Sequence, residues 1–353
     1  MSPSLVVAGG GPAGLASAIH AIAHGFSVRV VEPRYGIIDK ACGEGLMPAG
    51  VQALARLGVD PTTLGRPFRG IRYVDGPHQA EANFAHGPGL GIRRLALHDA
   101  LRQRAAALGV EFLDDRVRHV EQDAHQVRVH LAGDAVLESD WLFAADGLRS
   151  SIRGQLGLDL PRTRARRIGI RRHFAVEPWS DFVEVHWHPD VEAYITPVGP
   201  RLVGVAMLVT DKMPGSLAQS PFDRLLALFP DLQARLASAE PASTPRGAGP
   251  FETRVARRQI GRVLLVGDAA GYLDPLTGEG LKLGFLGAEA AVEAIAHGRP
   301  EQWEARWRQI TRRYWWGTLG LLILTGNPWI RRQMVPILSR TPWVLGGALR
   351  VLG

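Results

Sequence analysis

Near the amino end, Gly9-Gly10-Gly11-Pro12-Ala13-Gly14 sets glycines at the spacing G-x-G-x-x-G, and an acid, Glu32, follows downstream. Each of these residue types has a distinct chemical use. Glycine at 9 permits a tight turn, glycine at 11 lets backbone N–H groups approach a diphosphate, and glycine at 14 lets a helix pack close to a strand. A carboxylate at 32 can accept hydrogen bonds from ribose hydroxyls. Two more acids stand beside glycines, in Ala145-Asp146-Gly147 and Gly267-Asp268-Ala269. The lone thiol of the chain, Cys42, sits in Ala41-Cys42-Gly43-Glu44-Gly45-Leu46-Met47-Pro48. Dinucleotide binding is the chemistry this set supports.

The elements that must position these groups are legible around them. Leu5 to Ala8 reads as a buried parallel strand and is expected to be the first strand rather than a secretory leader. Leu15 to His24 carries apolar residues at helical spacing, and Ser27 to Val31 reads as a second strand ending at Glu32. The start of that helix brings its partial positive charge to the phosphates. Trp141 to Ala145 and Val263 to Val266 are further apolar strands, each delivering its acid at the carboxyl end.

With these residues the sequence resembles the family of flavoprotein aromatic hydroxylases and geranylgeranyl reductases. Gly91-Ile92-Arg93-Arg94-Leu95-Ala96-Leu97 resembles that family's arginine-bearing helix start. The resemblance implies an α/β fold: a Rossmann-like FAD-binding domain, an inserted antiparallel β-sheet substrate domain and C-terminal helices. It implies FAD as cofactor, with NAD(P)H as a transient reductant, since no second dinucleotide fingerprint is present. The residues it assigns to FAD are Gly9, Gly11, Pro12, Ala13, Gly14, Glu32, Pro33, Arg34, Gly43, Glu44, Arg94, Val117, Asp146, Gly147, Gly267, Asp268, Pro275, Gly278, Gly280 and Leu281. Asp268 would bond the ribityl chain, Arg94 would sit near the phosphates, and Asp146 and Gly147 would support the diphosphate side. Pro275 bends the chain so that Gly278 and Gly280 bring backbone N–H groups to the flavin. A helix from about Gly280 would aim its N-terminus at the ring.

Two reactions compete within the resemblance. Cys42-Gly43 and the Gly278-Glu279-Gly280 form of the later motif resemble the reductase branch, in which double bonds of a prenyl lipid are reduced. Glu192-Ala193-Tyr194-Ile195-Thr196-Pro197 lacks the tryptophan and phenylalanine of the reductases' substrate strand. That departure favours an NAD(P)H-using monooxygenase, hydroxylating a hydrophobic aromatic or quinone-like substrate through a flavin hydroperoxide. The same segment lacks the tryptophans and lysine of a halogenase. A flavin-bound scaffold without turnover is the reading outside enzymology, and the complete motif set disfavours it. Cys42, Tyr194 and Pro275 are the catalytic candidates, and His186 is a second polar candidate for substrate contact.

The rest of the chain sets the boundaries. Residues 1–162 and 251–298 are read as a discontinuous FAD-binding domain, 163–250 as the substrate sheet and 299–353 as a helical tail. A helix is expected near Phe222 to Ala237. His173, His186 and His188 lack metal-ligand spacing. A net charge of +7 rests on arginine, for Lys40, Lys212 and Lys282 are the only lysines, and no nucleic-acid-binding motif accompanies it. One cysteine precludes an internal disulfide and fits a cytoplasmic protein. The tail holds Trp303, Trp307, Trp315, Trp316, Trp329 and Trp343, with arginines but no acid after Glu304. That mixture predicts helices packed over the substrate pocket, with peripheral contact at the inner membrane face as a second role. A large, greasy substrate follows from either role. Neither its identity nor the oligomeric state has a motif of its own.

Overall fold

The computed structural model describes residues 2–164, 166–210 and 222–352. Its first layer grows from the motif strands. Ser4–Ala8 lies between Ser27–Val31 and Trp141–Ala144, all parallel, and Glu111–Leu113 and Val263–Leu265 extend the sheet on either side. These strands read as near-continuous apolar runs because both faces are covered, by helix on one side and by the 117–139 meander on the other. Helix Pro12–Ala23 fills one side and packs against Gly280–Ala296. That contact is close because Gly284 lacks a side chain: a Cβ there would stand 3.4 Å from that of Ala13. A meander of Val117–Gln122, Val127–Leu131 and Val136–Ser139 lies before the third parallel strand.

The second layer is a large sheet built on Arg167–Ala175, Leu202–Thr210, Val191–Gly199 and Phe182–Trp187, paired antiparallel. It does not stop at residues 163–250. Gly70–Asp75 joins Phe182–Trp187 in parallel, and His78–Asn83 forms the edge beyond it. The stretch 1–162 therefore also contributes to the substrate sheet. The polar run His-Gln-Ala-Glu-Ala-Asn conceals this edge strand, whose pairing is decided by its neighbour.

The helix expected over residues 222–237 is two helices, Phe222–Leu226 and Pro230–Leu236. Pro230 lacks the N–H needed to continue the first and opens the second. Both cover one face of the large sheet through Phe222, Leu225, Phe229 and Leu232. The opposite face turns toward the cofactor layer.

The tail forms helices Gln302–Thr325, Pro328–Arg340 and Pro342–Leu352. The first is fixed to the parallel layer: Trp303 donates to the Leu265 carbonyl, and Glu304 pairs with Arg258, whose guanidinium lies 3.8 Å over the Trp307 ring. The other two lie against the edge of the large sheet, where Val335 is fully buried with Phe68 and Val183. No described helix is long and apolar enough to cross a membrane.

Candidate cofactor and substrate site

A cavity of about 280 Å³ separates the two layers. One end is the glycine turn. Gly9 has φ +111, and a Cβ there would lie 2.5 Å from the Ala145 carbonyl oxygen; a Cβ on Gly14 would lie 1.9 Å from the Gly9 oxygen. Both positions are closed to any side chain. A Cβ on Gly11, by contrast, meets nothing within 4 Å, and Gly11, Pro12 and Ala13 form part of the cavity wall. The bare backbone at the start of helix Pro12–Ala23 is therefore available to a diphosphate.

Glu32 ends the second parallel strand as expected. Its carboxylate accepts the Gly10 N–H at 2.9 Å and Arg34 Nε at 2.7 Å. Burial opposes its charge, but the Arg34 and Gly10 bonds prevail and hold it below the usual carboxylate range. His98, absent from the sequence reading, supports the same turn. Its Nε2 lies 2.9 Å from the Gly10 carbonyl, while Nδ1 accepts the Ile38 N–H at 3.4 Å. Burial lowers its pKa, consistent with a neutral ring that donates from Nε2 and accepts at Nδ1.

Arg94 is buried at the start of helix Arg94–Ala107 and lines the cavity, with no protein partner for its Nε among the described residues. A buried guanidinium left with donor capacity toward a cavity suits a phosphate. Its backbone N–H is taken by Glu44 Oε1 at 2.8 Å. Glu44 is the centre of a network that spacing did not reveal. Its φ is +60, and its other oxygen lies 2.5 Å from His173 Nε2. Arg171 reaches His173 at 3.1 Å and Asp39 at 2.6 Å. This network joins the Cys42 loop to the large sheet.

Asp268 and Gly267 line the cavity, as does Gly147, and Lys40 Nζ lies 3.4 Å from the Asp268 carboxylate. Asp146 is not in the cavity wall. Its Oδ2 accepts the Ile152 N–H at 3.3 Å, at the start of helix Ser151–Gln155. Arg153 ties the two acid segments together, donating to the Leu148 carbonyl at 3.0 Å and the Ala269 carbonyl at 3.2 Å. Glu32, Pro33, Arg34 and Val117 also lie outside this wall; Val117 pairs with Leu131 in the meander.

The opposite end belongs to the turn Pro275–Thr277 and the start of helix Gly280–Ala296. Pro275, Gly278, Gly280 and Leu281 all line the cavity. Gly278 has φ +69, which glycine adopts without cost. Asp274 accepts the Leu276 N–H at 3.0 Å and pairs with Arg167 at 3.0 Å. The tail supplies the remaining support, through Tyr314 on Asp274 and Thr318, 3.2 Å from Thr277. Glu279 pairs with Lys282, and burial pushes its carboxyl upward.

Strand alternation decides which sheet residues reach the site. Val183 and Val185 face the cavity, whereas His186 is directed to the other face, beside Phe229 and 3.1 Å from Glu184. His186 is therefore removed as a substrate contact. Tyr194 and Thr196 face the cavity. The Tyr194 oxygen stands 3.2 Å from both the Leu276 carbonyl and the Glu192 carboxylate, with one proton to share. Burial raises its pKa well above 10, so the phenol stays protonated. Cys42 and Gly43 form the wall nearby, and burial pushes the Cys42 thiol up as well. Ile71, Phe84, Met207, Leu208, Leu321 and Leu349 make much of the remainder apolar.

The open backbone at Gly11, the unpartnered Arg94 and the glycine approaches at 278 and 280 fit FAD. Residues 3–298 match the family model described as FAD binding domain. A menaquinone reductase of Mycolicibacterium smegmatis is 29% identical over 382 aligned positions, covering 99% of this chain and 91% of the relative. A digeranylgeranylglycerophospholipid reductase of Methanothrix thermoacetophila is 25% identical, covering 88% of this chain and 84% of the relative. The crystal structure of a flavin-dependent halogenase superposes with a TM-score of 0.83 at 19% identity, covering all of this chain and 72% of that one. The fold and the match together place this chain in the FAD-binding-domain family of flavoprotein oxidoreductases.

Proposed function

We propose that this flavoprotein reduces a carbon–carbon double bond in a large apolar substrate of the prenyl-lipid or prenylated-quinone class. The observation that carries the reading is Cys42: its thiol lies in the wall of a largely apolar cavity, and burial keeps it protonated. Bound FAD, once reduced by NAD(P)H, supplies the hydride. The Cys42 Sγ–H would give the second alkene carbon the proton that matches the hydride, with solvent restoring the thiol. Tyr194 holds the 275–278 turn through the Leu276 carbonyl. The apolar wall excludes water from the reacting carbons. The reductase names of the two relatives support the same class of reaction.

Hydroxylation of an aromatic or quinone-like substrate is the second reading. The strand Val191–Gly199 favours it, because it carries neither the tryptophan nor the phenylalanine expected of a prenyl reductase. One experiment separates the two. FAD-loaded protein is reduced anaerobically with NADH or NADPH and mixed with a prenylated quinone, and then with an alkyl phenol under oxygen. Anaerobic reoxidation with a product whose prenyl side chain, not its quinone ring, carries two more hydrogens supports reduction, and Cys42→Ser should slow that step while FAD stays bound. Oxygen incorporated into the phenol, with no anaerobic reoxidation, overturns it in favour of hydroxylation.

A further inference from the structure

The tail helices have an inner and an outer side with different chemistry. Inward, Leu321 and Leu349 stand in the cavity wall and Val335 is fully buried. Outward, each of the three helices leaves one tryptophan largely in solvent: Trp316 at 71%, Trp329 at 69% and Trp343 at 74% exposure. Among the described residues, most of the exposed large hydrophobic side chains lie in this tail. Arg313, Arg332 and Arg340 are exposed on the same helices, and no acidic residue follows Glu304. Soluble surfaces seldom leave so much aromatic area in water without a partner. Tryptophan prefers the headgroup level of a bilayer, and arginine adds attraction to anionic lipid.

We infer that the outer side of the three tail helices docks on an anionic lipid bilayer, seating tryptophans at the headgroup level. The charge is what selects this occupant: an all-basic segment complements anionic headgroups, whereas a second copy of the chain would present arginine to arginine. Because the same helices furnish Leu321 and Leu349 to the cavity, docking brings that cavity wall to the membrane. An apolar substrate then passes between lipid and cavity without crossing water. The docking itself does not depend on which reaction the flavin performs.

The test uses the full-length, FAD-loaded protein and flotation with vesicles of phosphatidylcholine alone or with about one-third phosphatidylglycerol. Flotation with the anionic vesicles, lost on raising the salt, is expected. Replacing Trp316, Trp329 and Trp343 together by serine should weaken binding about tenfold or more, as should Arg313→Gln with Arg332→Gln and Arg340→Gln. The flavin spectrum should be unchanged in both variants, because none of the six residues lines the cavity. Absence of flotation, or equal flotation of wild type and both variants, overturns the inference. So does a wild-type dimer that the tryptophan variant converts to monomers while neither form binds vesicles, since the face is then a subunit interface. Turnover of a detergent-dispersed substrate is measured separately, so failure of the proposed reaction and failure of docking are distinguishable.

Discussion

The Tyr314 hydroxyl accepts the backbone N–H of Asp274 at 2.9 Å and donates to the carbonyl of the same residue at 2.9 Å. It also accepts the Leu273 N–H at 3.1 Å. One side chain of the tail thus satisfies three backbone groups beside the turn that lines the cavity. Tyr314→Phe keeps the ring and its stacking on Tyr272 but strands these groups. The expected cost is about 1–3 kcal/mol of stability. Denaturant unfolding checks the cost, and a weaker FAD affinity by fluorescence titration checks the link to the site.

Asp274 titrates in an unusual range. Burial raises its pKa to about 6, with Arg167 opposing and Glu192 reinforcing the shift. The protonated form is thus favoured by the fold. Its contribution to stability is complete below the unfolded value near 3.8 and is lost as pH rises through about 6. Asp274→Asn removes the titration. Relative to wild type, this variant should gain on the order of 2 kcal/mol between about pH 4.5 and 7. Unfolding curves of both proteins at the two pH values measure the difference, and a constant gap would contradict the assignment.

Gly11 and Gly14 should respond differently to the same added methyl group. At Gly14 the methyl meets the Gly9 carbonyl oxygen at 1.9 Å, so Gly14→Ala should cost about 1–3 kcal/mol or fail to fold. At Gly11 it meets no protein atom, so the apoprotein should keep its stability. FAD affinity should nevertheless drop by about tenfold, roughly 1.4 kcal/mol, because the methyl enters the diphosphate space. Thermal melts of the apoproteins and flavin titrations separate the effects.

Cys42 should behave as a protected thiol. Burial raises its pKa, with Arg94 opposing. Iodoacetamide should label it slowly at neutral pH and faster in alkali, because the thiolate is the nucleophile. Rapid labelling at neutral pH would remove the protonated-thiol basis of the proposed reduction. Bound FAD should slow labelling further if it covers this wall.

By itself the sequence determined the parallel layer and the cofactor class. Glycine spacing, apolar runs and strand-end acids are local signals, because backbone approach, strand burial and helix-start charge are properties of a few adjacent residues. That is why the glycine turn at 9–14, the strand-end positions of Glu32 and Asp268 and the turn at 275–281 were legible before any folding. The tertiary structure alone decided the rest. Whether a side chain on the large sheet reaches the cavity depends on register, and one step along a strand reverses the face; Tyr194 gained the site and His186 lost it on that basis. Asp146 carries the motif, and only the fold shows that one of its carboxylate oxygens bonds the Ile152 N–H in the first turn of a helix, since a motif fixes a turn and not the direction of its carboxylate. The Glu44–His173–Arg171 network and the Tyr314 clamp join residues far apart in the chain, so no spacing could announce them. The tail shows the division most clearly. Its composition was readable as tryptophan and arginine, but only packing against the sheet edge determined which of those side chains were buried and which were left facing outward.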